Sequence, residues 1–188
     1  MTIALIGESF VESSSAPLVR ALDGSAFLDG GGVVALGERG KTLAWWVARP
    51  ELVREKLRPF RRVLACHFGG NDANPDRALR ISQVRTLDAL YREEGREVAW
   101  LAVPGWPVST PVTAKRAIQR SAIDSAGVRV IGRGAVLLPG HISGDGTHIT
   151  AFGARAWVAQ LKKRSGTAWP LVAGLIAAGL VLAAGGAS

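Results

Sequence analysis

The sequence is poor in the residues that hold metals or form disulfides, with one cysteine and three histidines among 188 residues. A single thiol cannot form an intrachain disulfide, and so few thiol and imidazole ligands leave little room for a metal centre. Cys66 lies inside an apolar run, which predicts a buried, unreactive thiol and is compatible with a reducing compartment. We therefore expect no metal, no cofactor and no disulfide framework.

Acidic residues are also scarce, since the sequence has 15 Asp and Glu but 23 Lys and Arg, which gives a net charge of +8. Aromatic residues make up only 6% of the chain and do not alternate with the basic ones, as a base-stacking surface would require. No specific nucleic-acid binding is expected. Hydrophobic residues reach 48%, which is enough to fill the core of one domain.

Short apolar runs alternate with helical patterns along most of the chain. This alternation predicts an α/β domain over residues 1–164, with helices on both faces of a doubly wound, five-stranded parallel sheet in the order 2-1-3-4-5. In the helix predicted over 76–94, the apolar face begins at Leu79 and the arginines occupy the other face. The predicted strands are residues 3–6, 33–36, 63–66, 98–103 and 128–131, and the later helices cover about 112–126 and 150–164.

A Gly-Lys-Thr sequence at Gly40 follows the second predicted strand and invites comparison with a phosphate-binding P-loop. The match fails because Ala35 stands where the motif needs its first glycine. The next strand also ends without the aspartate that would hold magnesium. The sequence favours a glycine turn that lets strand and helix pack closely.

Polar residues that could carry chemistry follow several of these strands. Ser9 comes directly after the first strand, Asn71 follows the third, and Asp145 and His148 lie in a glycine-rich loop before the last helix. Each has an ordinary explanation, because a serine there can cap a helix and an Asp–His pair can form a turn. Their shared location matters more, since ligands bind at the carboxyl edge of open α/β sheets.

Four segments together resemble the motif blocks of the SGNH (GDSL-type) hydrolases. They occur in the family's order over residues 1–164, and the third and fourth are the specific ones. The first departs from the usual Gly-Asp-Ser because Glu8 replaces the aspartate, which keeps a carboxylate and should tune the site. The segments are Gly7-Glu8-Ser9, Gly40, Gly69-Gly70-Asn71-Asp72 and Asp145-Gly146-Thr147-His148.

The resemblance implies a flavodoxin-like fold and a catalytic triad. Ser9 would be the nucleophile, His148 its general base, and Asp145 the residue that orients the imidazole. The backbone N–H groups of Ser9 and Gly40 and the side-chain amide of Asn71 would form the oxyanion hole. The other two histidines, His67 and His141, do not occupy family positions and should be structural or peripheral.

The motifs do not identify the ester. We expect a serine esterase that cleaves an ester or thioester through an acyl-enzyme, acting near a membrane on acyl lipids or acyl thioesters. One alternative is a carbohydrate O-acetylesterase acting on a cell-wall or surface glycan, for which a phage-associated setting is one option. A third is a membrane-tethered binding or structural protein that has kept the motifs without turnover.

The C-terminal residues 168–187 carry no charge, and we expect a linker over 165–169 and a transmembrane or hydrophobic anchor helix over 170–187. The first residues show no signal-peptide pattern, and Lys162-Lys163-Arg164 stands just before the apolar segment. Clustered basic residues stay on the cytoplasmic side, so the catalytic domain is expected there. The small residues Gly174 and Ala178 would instead suit packing against other copies or a partner.

Overall fold

The structure, a computed structural model, describes residues 2–28, 31–107 and 111–165. Within these ranges, five strands form a single parallel sheet in the order β2-β1-β3-β4-β5. The strands are β1 (Ile3–Gly7), β2 (Val33–Ala35), β3 (Arg62–Cys66), β4 (Glu97–Leu101) and β5 (Val130–Ile131). The helices are α1 (Pro17–Leu22), α2 (Leu43–Val47), α3 (Pro50–Leu57), α4 (Arg77–Arg92), α5 (Pro111–Ser125) and α6 (Ala151–Ser165). The predicted fold class and strand order are confirmed.

The central strands explain why the sheet could be recognised from apolar runs. All five residues of β1 are buried, and so are the last four of β3 and of β4. Strands covered by helices on both faces read as continuous apolar runs, because neither face is exposed to water. The edge strands β2 and β5 are shorter and only partly buried.

The helices lie on both faces of the sheet. α1 packs against α6 on one face, while α4 packs against α2, α3 and α5 on the other. The sequence did not predict α3, whose eight residues contain only two buried apolar side chains, Val53 and Leu57. Those two residues are four apart and therefore lie on the same face of the helix.

The start of α4 differs from the prediction. Leu79 is 40% exposed, whereas Arg80 is only 1% exposed and faces the interior. The Arg80 guanidinium donates hydrogen bonds to the carbonyl oxygens of Asp72, Asn74 and Lys115. The arginine thus occupies a core-facing position because it holds the loop after β3 to the start of α4 and to α5.

Among the described residues, no helix is long and apolar enough to cross a bilayer. The predicted linker over 165–169 falls almost wholly outside those residues, and the predicted anchor over 170–187 lies entirely beyond them.

Candidate active site

Ser9 lies at the carboxyl end of the central strand β1. A Cβ on Gly7 would lie 2.2 Å from the carbonyl oxygen of Cys66 in β3, so only glycine fits at this strand end. The chain then passes through the extended Glu8 into a short 3-10 turn, Ser9–Val11. Phe10 and Val11 are buried and fix the turn against the core, which leaves the Ser9 side chain partly exposed at the sheet edge.

The structure brings Ser9, His148 and Asp145 together. The His148 ring nitrogen Nε2 lies 3.5 Å from the Ser9 hydroxyl oxygen, and Nδ1 lies 2.6 Å from an Asp145 carboxylate oxygen. The first distance is somewhat long for a hydrogen bond, as is common for catalytic pairs without bound substrate. With its Nδ1 proton donated to Asp145, the neutral imidazole has Nε2 free to accept a proton from Ser9.

Asp145 is held by its own loop. Its Oδ1 accepts hydrogen bonds from the backbone N–H groups of Thr147, at 2.8 Å, and His148, at 3.0 Å, and from the Ser143 hydroxyl. The hydrogen bond from the His148 ring, followed by that from Ser143, holds the pKa of Asp145 well below its ordinary value. Asp145 is therefore ionised at neutral pH and can stabilise an imidazolium at His148.

The predicted oxyanion-hole residues line the same pocket as Ser9. The pocket has a volume of about 470 Å³ and includes Gly40, Asn71 and His148 in its walls. Gly40 belongs to the loop between β2 and α2 and has a φ of +71°, a conformation that favours glycine. The Asn71 side-chain nitrogen donates to Glu8 Oε2 at 3.2 Å.

Glu8 is buried directly beneath this pocket and anchors the loop that carries Asn71. Its Oε1 accepts hydrogen bonds from the backbone N–H groups of Phe68 and Gly69, both at 2.5 Å, and Oε2 accepts one from Asn71. Burial raises the pKa of Glu8 from 4.5 to about 7, although the Gly69 and Phe68 donors oppose that rise. The Glu8 carboxylate thus contacts both the Asn71 side chain and the backbone of the loop after β3, and its pKa lies near neutral pH.

Two residues that hold the loop of Asp145 and His148 were not predicted. Arg116 of α5 is 1% exposed and donates through Nη2 to the carbonyl oxygen of Thr147 at 2.8 Å. Trp106, in the loop after β4, donates through Nε1 to the carbonyl oxygen of Gly146 at 3.0 Å. A signal for Arg116 was available, because Ile123, seven residues later, is buried on the same face of α5 and marks 116 as a core-facing position.

The remaining histidines and the cysteine lie outside the pocket. His67 is buried and its Nε2 lies 2.9 Å from the Tyr91 hydroxyl, while burial lowers the pKa of His67 to about 3. His141 is buried and accepts a hydrogen bond from the backbone N–H of Leu138. Burial raises the pKa of the Cys66 thiol far above its usual range, which fits the predicted unreactive cysteine.

No protein-family model matches the sequence, and no curated protein matches it either. Solved structures do share its fold. A lipase/acylhydrolase from Enterococcus faecalis is 19% identical over 86% of this chain and 93% of its own, with a TM-score of 0.57. A GDSL-like lipase from Bacteroides thetaiotaomicron is 17% identical over 86% of each chain, with a TM-score of 0.60. The acetylxylan esterase Axe2 from Geobacillus stearothermophilus is 15% identical over 89% of this chain and 95% of its own, also with a TM-score of 0.60.

These neighbours define the class of fold. The chain has the α/β fold of the SGNH (GDSL-type) hydrolases, as the motif resemblance implied. At 15–19% identity the likeness lies in the fold, so the roles of individual residues depend on the geometry of this chain's own site.

Proposed function

We propose that the protein is a serine hydrolase that cleaves an acyl ester through an acyl-enzyme on Ser9. The observation that carries this proposal is the chain of contacts from Asp145 through His148 to Ser9, at 2.6 Å and 3.5 Å. A serine hydroxyl is a weak nucleophile until a neighbouring base removes its proton. The three side chains supply the nucleophile, the base and the group that orients the base.

In the proposed reaction, Ser9 Oγ attacks the ester carbonyl carbon while its proton passes to His148 Nε2. The tetrahedral intermediate then collapses, the bond to the alcohol oxygen breaks, and His148 returns the proton to the leaving alcohol. Water, activated by the same imidazole, attacks the acyl-enzyme and releases the carboxylic acid. Asp145, ionised throughout, stabilises the imidazolium in both halves of the reaction.

The oxyanion of each tetrahedral intermediate requires donors that are already in place. We assign this role to the backbone N–H groups of Ser9 and Gly40 and to the side-chain amide of Asn71, whose Nδ2 also lies 3.5 Å from the carbonyl oxygen of Lys41. Their common location around the pocket supports the assignment. Removal of one such donor typically costs about 3–4 kcal/mol of barrier, so each should matter for turnover.

The pocket lining favours a short acyl group on a polar alcohol, such as an acetylated sugar hydroxyl. Glu12, Arg39, Ser13 and Ser15 line the pocket beside Ser9, and Arg39 makes a bidentate ion pair with Glu12. A long acyl chain gains about 0.8 kcal/mol per methylene only where apolar surface receives it. Among the described lining residues the larger apolar groups are mostly packed into the core, as for Phe10 at 5% exposure.

The name of one structural neighbour agrees with this choice, since Axe2 is an acetylxylan esterase. The names of two other neighbours, both lipases, agree instead with the acyl-lipid alternative. The membrane location expected for that alternative depends on residues 168–187, which lie outside the described residues.

The test is a series of p-nitrophenyl esters from acetate to octanoate, together with acetate release from an acetylated oligosaccharide. We expect kcat/KM to be highest for acetate, and no turnover above background for Ser9→Ala. A fluorophosphonate probe should label the wild type and leave Ser9→Ala unlabelled. Rising kcat/KM towards octanoate would overturn the proposed substrate, and absence of both turnover and labelling in the wild type would overturn the enzyme.

A further inference from the structure

The loop that carries Asp145 and His148 is fastened to the domain by two hydrogen bonds to its backbone. Between those two residues stand only Gly146 and Thr147, and the carbonyl oxygens of both accept a side-chain hydrogen bond. Trp106 Nε1 donates to the first at 3.0 Å, and Arg116 Nη2 donates to the second at 2.8 Å. The backbone between the two proposed catalytic residues is therefore fixed from outside the loop.

The two donors also contact each other and the turn that carries the nucleophile. The Arg116 guanidinium carbon lies 3.6 Å from the centre of the Trp106 ring and 5.4 Å from the centre of the Phe10 ring. Phe10 directly follows Ser9, and its ring centre is 5.9 Å from that of His148. One stacked Trp–Arg pair thus connects the nucleophile turn, helix α5 and the Asp–His loop.

Arg116 is a costly residue to bury for packing alone. Its Nε and Nη1 atoms are inaccessible to water and have no hydrogen-bond partner among the residues that the structure describes. An unpaired buried donor is unfavourable, and an apolar side chain of similar volume could fill the same space without that cost. Burial lowers the pKa of Arg116 to about 10, so the guanidinium still carries its charge at neutral pH. The residue therefore has a use that an apolar side chain could not serve.

We propose that Trp106 and Arg116 are positioning residues that hold the Asp145–His148 loop at the distance from Ser9 that proton transfer requires. This inference rests on the proposed hydrolase function. Neither residue takes part in the bond changes; each acts through the loop backbone. A displacement of about 1 Å at a reacting group can cost ~10²-fold in rate, so a loosened loop should be measurable.

The decisive variant is Arg116→Ala, which leaves a space beside Trp106 that free guanidinium can enter. We expect kcat and the rate of fluorophosphonate labelling to fall ~10²-fold, with KM changed much less. Guanidinium chloride at sub-denaturing concentration should restore at least ~10-fold of the lost rate, where potassium chloride at equal ionic strength does not. A purely structural arginine would give no such rescue of the labelling rate in a folded variant.

Arg96 provides a matched control. It is also buried, at 3% exposed, and it also donates to backbone carbonyls, those of Leu57, Phe60 and Glu93. It precedes β4 and so lies at the amino edge of the sheet, away from Ser9. We expect Arg96→Ala to lower the melting temperature without any guanidinium-dependent change in labelling rate.

Trp106→Phe keeps an aromatic ring that can stack on Arg116, and it removes the N–H that reaches Gly146 together with part of the ring surface. This variant alone should lower the rate of fluorophosphonate labelling. If Arg116→Ala does not fold, Trp106→Phe tests the positioning role in its place. Labelling at the wild-type rate in either folded variant would overturn the positioning role. Such a result would leave the proposed function intact, because that function fails only when the wild type itself neither turns over esters nor reacts with the probe.

Discussion

Replacing Glu8 with glutamine tests how this site holds its oxyanion donor. The variant keeps the shape of the side chain, and its carbonyl oxygen can still accept from the backbone N–H groups of Phe68 and Gly69. Its amide nitrogen would then take the place of Oε2, which accepts from the Asn71 side chain in the wild type. Two N–H donors would face each other, and Asn71 must turn its amide over or move away.

The expected loss follows from what Asn71 contributes. If its amide turns, the side-chain hydrogen that we assign to the oxyanion no longer points into the pocket. Loss of one oxyanion donor costs about 3 kcal/mol of barrier, which corresponds to a ~10²-fold fall in kcat. KM should change little, because the interaction that is lost forms mainly in the transition state.

The pH dependence separates this explanation from general damage to the site. Burial raises the pKa of Glu8 to about 7, so protonation below that pH mimics the glutamine variant in the wild-type enzyme. The histidine that we propose as the general base must also be neutral to accept the serine proton. We therefore expect wild-type log kcat/KM to fall with a slope approaching two at acidic pH, and Glu8→Gln to fall with a slope of one.

Glu12→Gln is the matched control, since Glu12 lines the same pocket and also loses one negative charge. The hydrogen bond from Arg39 lowers the pKa of Glu12, so this carboxylate does not titrate near neutrality and the acidic slope should stay at the wild-type value. Initial rates are measured at half-unit pH intervals with a saturating ester, which gives kcat, and with a dilute ester, which gives kcat/KM. Equal slopes for wild type and Glu8→Gln, or an unchanged kcat in the variant, would refute the role of Glu8.

Three further outcomes are expected. Asp145→Asn should lower kcat by ~10³–10⁴-fold, because the amide no longer fixes the tautomer of His148. Circular dichroism should show an intact fold, and a loss of kcat under tenfold would contradict the triad. Gly69→Ala should lower the melting temperature by several degrees, since φ is +75° and the new Cβ would lie 2.6 Å from Gln119 Cβ, and an unchanged value would refute the steric argument. The full-length protein should stay in the membrane pellet after carbonate washing, and deletion of residues 168–188 should make it soluble. A full-length chain that is freely soluble and monomeric would exclude the anchor.

The sheet could be predicted because its central strands are buried on both faces and therefore appear as uninterrupted apolar runs. The alternation of strands with helices along the chain also predicted the strand order, because parallel strands joined by helices follow few topologies. Helix α3 was not predicted because its apolar pattern is too short. Only Val53 and Leu57 are buried among charged residues, and two apolar positions do not define a helical repeat.

The site could be predicted where chemistry requires particular residue types at the ends of strands. Ser9, Asp145 and His148 meet as the motif order implied, and Gly40 and Asn71 share their pocket. Their catalytic roles stay predictions until the variants are measured.

The residues that support the site carry a weaker signal in the sequence. The helical pattern can mark Arg116 as core-facing, but it does not show which backbone carbonyl the arginine binds. Glu8 was recognised as a substitution for aspartate, yet its partners Phe68 and Gly69 became apparent only once β1 and β3 were seen side by side.

Arginines that are buried or half-buried also explain part of the excess positive charge. Arg80 binds carbonyls in the loop after β3, Arg120 binds those of Val103 and Pro104 after β4, and Arg116 binds one in the Asp–His loop. Each of these loops follows a strand at the edge where Ser9 lies, and each has carbonyl groups that no helix or strand satisfies. A guanidinium can satisfy several such acceptors from one side chain. The basic character of the chain is thus in part a means of holding the active-site loops in place, and it does not require a nucleic-acid partner.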